Sequence, residues 1–411
     1  MRRAAPLVFL LGCTGGGEVD PGGVADVQIP CATAEPEGLA VRLWWPAADS
    51  GRHLSQAPVL VRVGGAGSVG FDIGHDPSLA VEQGAAVVQF LRPGVSDDGR
   101  ASGGIDDFGG ASTSDSLACV VAYLDGEVDP IDGETFAAQV PHASVTIATG
   151  ISVGGNLVLN AAHQGMPVDG VVLWESPLVD QLVLQEPTLA GGVLDPDFVP
   201  GSCTLDGGCP FPERGPRLRW SDLHDSLYQD LDTDGFLDDE EPAYTGLKEL
   251  STDVAMFYSR ELAAEAEHYA FAVDTPPTWW QTDAERDAFW SQWDSTEALV
   301  AIRDGSTTPF VYLARGVDHV QLVHDHVLVA QEGLIGADFF RLNADAAYID
   351  TLGGGQVSEQ PAGTTVTDLG ALDALPMVDV PKHLLSGELE LADRAWLGVW
   401  DPDLDGVLSG L

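Results

Sequence analysis

Lysine occurs at just two positions in the 411 residues, Lys248 and Lys382, and all other basic side chains are arginine. Lysine and arginine together number 18 against 64 aspartates and glutamates, a formal net charge of −46. A field of that sign repels nucleic acid and anionic lipid headgroups, which removes both as partners. Long apolar runs are also missing. The longest candidate near the start, Ala4 to Gly12, is far short of the roughly 20 residues that a membrane-spanning helix needs. Cysteine is scarce, with five in the chain. The hydrophobic fraction is nonetheless 45%, enough for a sizeable core, and this excludes a disordered acidic polymer.

The start of the chain reads "MRRAAPLVFLLGC": two arginines, a short apolar centre, and Cys13. This is the layout of an export signal. The end "LLGC" resembles the lipobox of bacterial lipoproteins, which implies cleavage after residue 12 and lipidation of Cys13. The following "TGGGEVDPGG" reads as a flexible tether, taken to residue 27. The expected location is therefore exported and lipid-anchored to a bacterial membrane, at the periplasmic face or cell surface.

In an exported chain, Cys203 and Cys209 of "CTLDGGC" are expected to form a disulfide, worth roughly 2.4 kcal/mol in the chain-entropy model. Cys31 and Cys119 could also pair. Because Cys119 lies in the apolar helical run "SLACVVAYL", it reads instead as a buried free thiol.

Short β-branched runs alternate with helical patterns from about residue 38 to 178 and again from 306. That alternation predicts a mostly parallel sheet with helices on both faces. "APVLVRVGGAG", "GAAVVQFLRPG", "SVTIATG" and "DGVVLWESP" are expected strands, and "TSDSLACVVAYLDG" and "GGNLVLNAAHQG" expected helices. Between them, residues 178–307 are acidic, aromatic and expected to be mostly helical, a long insertion. One of its helices opens with a capping box from Thr282 to Glu285 and carries Phe289, Trp290 and Trp293 on one side, read as packing residues. The expected division is a signal (1–12), a tether (13–27), a core in two parts (28–177 and 308–411), and the insertion.

Gly150-Ile151-Ser152-Val153-Gly154 is G-x-S-x-G between a predicted strand and a predicted helix. A serine nucleophile must stand on a strained turn above the sheet, where larger residues two positions away on either side would collide. In this context the chain resembles the α/β-hydrolase family. The resemblance implies a serine–acid–histidine order, an acyl-enzyme on Ser152, and an oxyanion held by the backbone N–H of Val153 and of Gly65 or Ala66, in the glycine-rich loop after "VLVRV". Asp318 in "RGVDH" is the acid that the resemblance points to, with Glu175 and Asp325 as alternatives. His383, the sole histidine after His326, is the candidate base, about 65 residues beyond Asp318, with His319 and His324 as alternatives. The implied activity is hydrolysis of a carboxylic ester or a peptide, with esters favoured and no organic cofactor. A rival reading is an inactive surface lipoprotein that keeps the hydrolase fold.

A last motif stands apart. "DLDTDGFLDDEE" has carboxylates at loop positions 1, 3, 5, 9 and 12 (Asp230, Asp232, Asp234, Asp238 and Glu241) and Gly235 at position 6. That is the calcium-loop pattern of EF-hands, in which Phe236 at position 7 offers its carbonyl. Residues 218–229 are its expected entering helix, although Pro242 forbids a normal exit. Calcium bound there would be structural. Asp401 to Leu411 begins the same way but ends before position 12.

Overall fold

The computed structural model describes residues 21–65, 70–71, 76–107, 109–179, 199–208, 215–221, 223, 226–238, 241–245, 265, 268, 284, 288, 291–314, 325–343, 345, 348, 352 and 380–400. The strands in chain order are β1 (Pro21–Ile29), β2 (Leu39–Pro46), β3 (Ala57–Val63), β4 (Ala86–Phe90), β5 (Ser96–Asp97), β6 (Arg100–Ala101), β7 (Ala143–Ile151), β8 (Gly170–Trp174), β9 (Leu218–Ser221), β10 (Ser226–Gln229), β11 (Ala243–Thr245), β12 (Phe310–Leu313) and β13 (Phe340–Leu342). The helices are α1 (Ser78–Glu82), α2 (Ala111–Leu124), α3 (Phe136–Gln139), α4 (Val153–His163), α5 (Thr296–Arg303), α6 (Asp325–Leu334) and α7 (Val380–Leu397).

Eight strands form one sheet in the order β1-β2-β4-β3-β7-β8-β12-β13. Strand β2 pairs antiparallel with both β1 and β4, and every pairing from β4 to β13 is parallel. Strands β3, β4 and β12 are buried along their whole length. Their near-continuous apolar sequences are the mark of a parallel sheet covered on both sides. Alternate residues feed the two faces. Val59, Val61, Ala148, Val171, Leu173, Phe310 and Tyr312 join α2, α4, α5 and α6 in one cluster. Leu60, Val87, Ile147, Ile151, Val172, Val311 and Leu313 join α1 and α7 in the other. The fold is therefore α/β, as the alternating pattern predicts.

Helix α7 runs against the strand direction. Gly387 packs on Val311 and Leu313 of β12, and Leu391 on Gly170, the first residue of β8. The N-terminal turn of α7 thus lies toward the C-terminal edge of the sheet, the edge at which β7 delivers Ser152. None of the described helices is long and apolar enough to cross a membrane.

Three expectations change. Strand β1 begins at Pro21, inside the stretch read as a tether to residue 27, because "VADVQI" pairs residue by residue with β2. The insertion is not wholly helical: β9, β10 and β11 form a separate antiparallel sheet, so the expected helix over 218–229 is two strands. Cys119 is not a free thiol but is bonded to Cys31. The turn after β1 brings Cys31 onto the half-buried flank of α2, where Thr33 also meets Ser116 at 3.1 Å. Cys203 is disulfide-bonded as well. Its expected partner Cys209 lies outside the described residues, as do Cys13, Phe289, Trp290 and the capping box from Thr282 to Glu285. Trp293 is buried and donates its indole N–H to Gly109 O at 3.2 Å, a packing role.

Candidate active site

Ser152 sits between the end of β7 and the start of α4 with φ 53° and ψ −129°. Glycine reaches that region without cost, whereas a serine there stores about 1–3 kcal/mol of backbone strain. The surroundings hold it in place. The Ser152 N–H donates to Trp174 O at 2.9 Å, and the Gly155 N–H donates to Ser152 O at 2.9 Å. Three glycines permit the turn. A Cβ on Gly150 would strike Gly155, one on Gly154 would strike the carbonyls of Val63 and Gly64, and one on Gly155 would strike Ser176. Gly150 and Gly154 follow from the motif. The close approach of Gly155 to Ser176 comes from the neighbouring strand and is not visible locally.

The loop after β3 lies directly against the serine. A Cβ built on Gly65 would stand 3.0 Å from Ser152 Cβ and 3.5 Å from its Oγ. Glycine at 65 therefore keeps backbone, not side chain, beside the hydroxyl. Val153 is the first residue of α4 and is buried, so its N–H belongs to the unpaired set at a helix N-terminus. These are the two backbone elements expected to face an oxyanion. Ala66 lies outside the described residues.

Among the described residues, Glu175 is the candidate acid at this edge. It follows the last residue of β8, whose Trp174 is the register partner of Ile151. Glu175 is buried, adopts φ 42°, and donates its N–H to Leu313 O at 2.9 Å. Asp318, His319 and His324 lie outside the described residues. Asp325 is engaged elsewhere. Its carboxylate accepts the N–H of Gly201 at 2.8 Å and that of Cys203 at 3.1 Å, tying the insertion to α6. His383 is buried in the first turn of α7, toward the edge that carries Ser152.

Sequence reasoning misses what fixes α7. Glu388 accepts two hydrogen bonds from Arg62 of β3, at 2.9 and 2.7 Å, and one from Thr149 of β7 at 2.7 Å. Glu390 pairs with Arg341 and Arg394 at 2.9 and 3.1 Å. Asp393 accepts from Arg52 at 2.7 Å, from Tyr348 at 2.9 Å, and meets His53 at 2.8 Å. Burial works to raise the Asp393 pKa, but the hydrogen bonds from Arg52 and His53 outweigh it and hold the carboxyl below its ordinary range. Arg62 and Arg52 hold their carboxylates in two-pronged pairs, a geometry that lysine cannot supply.

The acidic loop closes the β10–β11 hairpin. Carboxylate oxygens of Asp230, Asp232 and Asp234 lie within 4.8 Å of one another. Asp232 Oδ1 accepts the Asp234 N–H at 3.0 Å, and Asp234 Oδ1 the Phe236 N–H at 2.8 Å. Thr233 and Gly235 turn the chain at φ 69° and 85°. The side chains of Phe236 and Asp238 are exposed, while Asp230 and Glu241 are 3% and 2% exposed. Residues Asp401 to Leu411 lie outside the described residues.

The chain matches no protein-family model and no curated protein. Among solved structures it is similar to an α/β serine hydrolase without lid from Xanthomonas campestris, at 18% identity over 39% of this chain and 65% of that one, with a TM-score of 0.28. It is similar to a bacterial heroin esterase at 12% identity over 77% and 73% of the two chains, with a TM-score of 0.37. Esterase B from Lactobacillus rhamnosis gives 17% identity over 38% and 50%, with a TM-score of 0.27. The chain thus spans less than two thirds of the Xanthomonas hydrolase and half of esterase B. The fold assignment rests on the strand order and pairing themselves.

Proposed function

We propose that the protein is a serine hydrolase of the α/β-hydrolase type, acting on carboxylic esters in preference to peptides. The observation that carries this reading is Ser152, a non-glycine residue held at φ 53° between a strand and a helix. Backbone strain at a nucleophile is stored where it exposes the hydroxyl.

In the proposed reaction Ser152 Oγ attacks the ester carbonyl carbon and its proton passes to an imidazole. The carbonyl electrons move onto oxygen, and the N–H groups of Val153 and of Gly65 or Ala66 receive that charge. Collapse expels the alcohol, which takes the proton back from the imidazolium. Water then repeats the sequence on the acyl-enzyme and releases the acid. His383 is the proposed base, supported by the direction of α7, with His319 and His324 as alternatives. Asp318 or Glu175 would orient the imidazole and stabilise its cation. The burial of Glu175 beside the Ser152 strand favours it among the described acids.

We also read the chain as exported and lipid-anchored through Cys13. The Cys31–Cys119 disulfide supports an oxidising compartment. Labelling by a fluorophosphonate probe, compared between the wild type and Ser152→Ala, tests the nucleophile. Turnover of short esters by His383→Ala and Glu175→Gln tests the partners, since losing the base costs orders of magnitude while losing the orienting acid costs less.

A further inference from the structure

We propose that the hairpin loop from Asp230 to Glu241 binds one calcium ion and that the ion clamps the two strands of the hairpin. This inference is independent of the hydrolase reading. The loop is not flanked by helices. Its ends are the last residue pairs of an antiparallel hairpin: Tyr228 faces Ala243, and the Gln229 N–H donates to Pro242 O at 2.9 Å. Asp230 therefore leaves β10 and Glu241 approaches β11 at the same level.

Three carboxylates converging within 4.8 Å do not by themselves make a site. The independent observation is at the two buried ends. Asp230 Oδ1 and Glu241 Oε2 are buried and have no hydrogen-bond partner among the described residues. A buried carboxylate oxygen left unpaired is costly, and native structures leave few of them. The Glu241 carboxylate is held over the start of the loop, because its Oε1 accepts the N–H of Leu231. Asp230 belongs to the converging trio. The orphaned oxygen of Asp230 thus belongs to the trio that Asp232 and Asp234 complete from the solvent side, and that of Glu241 lies in the same loop, outside the trio.

Arg219 stands beside this cluster, with its Nε 3.8 Å from Asp230 Oδ2. Arg219 also donates to the carbonyls of Pro216 and Leu218, so it does not answer the whole cluster. The donors on offer are all oxygens: Asp230, Asp232, Asp234, Glu241 and the Phe236 carbonyl. Hard oxygen donors without imidazole or thiolate select calcium or magnesium over zinc or copper. A chain loop offering more than one carboxylate suits the irregular, higher coordination of calcium better than the strict octahedron of magnesium.

The experiment uses the full chain, stripped with a chelator and titrated with calcium chloride in a calorimeter, with thermal unfolding in parallel. The wild type should take up calcium, and 1 mM calcium should raise the Tm by about 3 °C if the Kd is near 10 μM. Asp230→Asn with Glu241→Gln should lose both responses. Those buried positions also stand at the base of the hairpin, so Asp232→Asn with Asp234→Asn is the companion variant. Its positions are exposed, so it should keep the wild-type Tm in chelator yet lose uptake at the loop. No uptake by the wild type at 1 mM calcium, equal uptake by the exposed double variant, or an equal response to magnesium would each overturn the proposal.

Discussion

Glu388 of α7 and Arg62 of β3 form a fully buried, two-pronged ion pair, 326 residues apart in sequence. Arg62 lies three residues before Gly65, and Thr149, the third partner of Glu388, three before Ser152. One carboxylate therefore fixes the last helix to both strands that lead to the candidate site. His383 lies about one and a half turns earlier on that helix.

Removing Glu388 should leave a guanidinium buried without its charge partner. We expect Glu388→Gln to lower unfolding stability by about 3–5 kcal/mol in denaturant titration. Replacing both partners, as Arg62→Met with Glu388→Leu, should restore much of that loss. A single variant within about 1 kcal/mol of the wild type would show that the pair does not hold the helix.

The turn at Gly150, Ser152 and Gly154 was legible because the rules of a strand–turn–helix are local, whereas Gly65 came from the family resemblance. The sheet was legible because its strands alternate with helices and are apolar throughout. The helix expected over residues 218–229 was wrong for an instructive reason. Leu218 and Trp220 are buried while Arg219 and Ser221 are less so, the period of a strand. The calcium-loop motif carries an association with flanking helices, and that association overrode the local period. The carboxylates of α7 were illegible for the opposite reason. Nothing local marks Glu388, Glu390 and Asp393 as buried, and their arginine partners come from positions scattered between residues 52 and 394.

Cys31 and Cys119 close a span of 88 residues between the end of β1 and α2. In the chain-entropy model such a loop contributes about 4.6 kcal/mol by restricting the unfolded chain. Cys31→Ser with Cys119→Ser should lower the unfolding midpoint in urea by an amount corresponding to roughly 2–5 kcal/mol. The same variant should lose its sensitivity to reductant at this bond. An unchanged midpoint would show that the bond contributes nothing to stability.

Asp393 has its carboxyl held below the ordinary range by Arg52 and His53, despite the opposing effect of burial. For a depressed carboxyl, the stability gain is fully present above the unfolded pKa of about 3.9 and is lost as pH falls through the folded value. We expect wild-type stability to decline with acid below about pH 4, and Asp393→Asn to be weaker at neutral pH with a shallower acid decline. Unfolding free energies between pH 2 and 7 decide this. Parallel curves for the two proteins would remove Asp393 as a source of acid sensitivity.

The central claim is that Ser152 is a nucleophile and not merely a strained turn residue. A fluorophosphonate probe forms a covalent bond with an activated serine and reports it as mass added to one peptide. At neutral pH the folded wild type should take up one equivalent of probe on the peptide containing Ser152, and folded Ser152→Ala should take up none. A folded wild type that stays unlabelled, or a Ser152→Ala protein labelled to the same extent, would contradict the account.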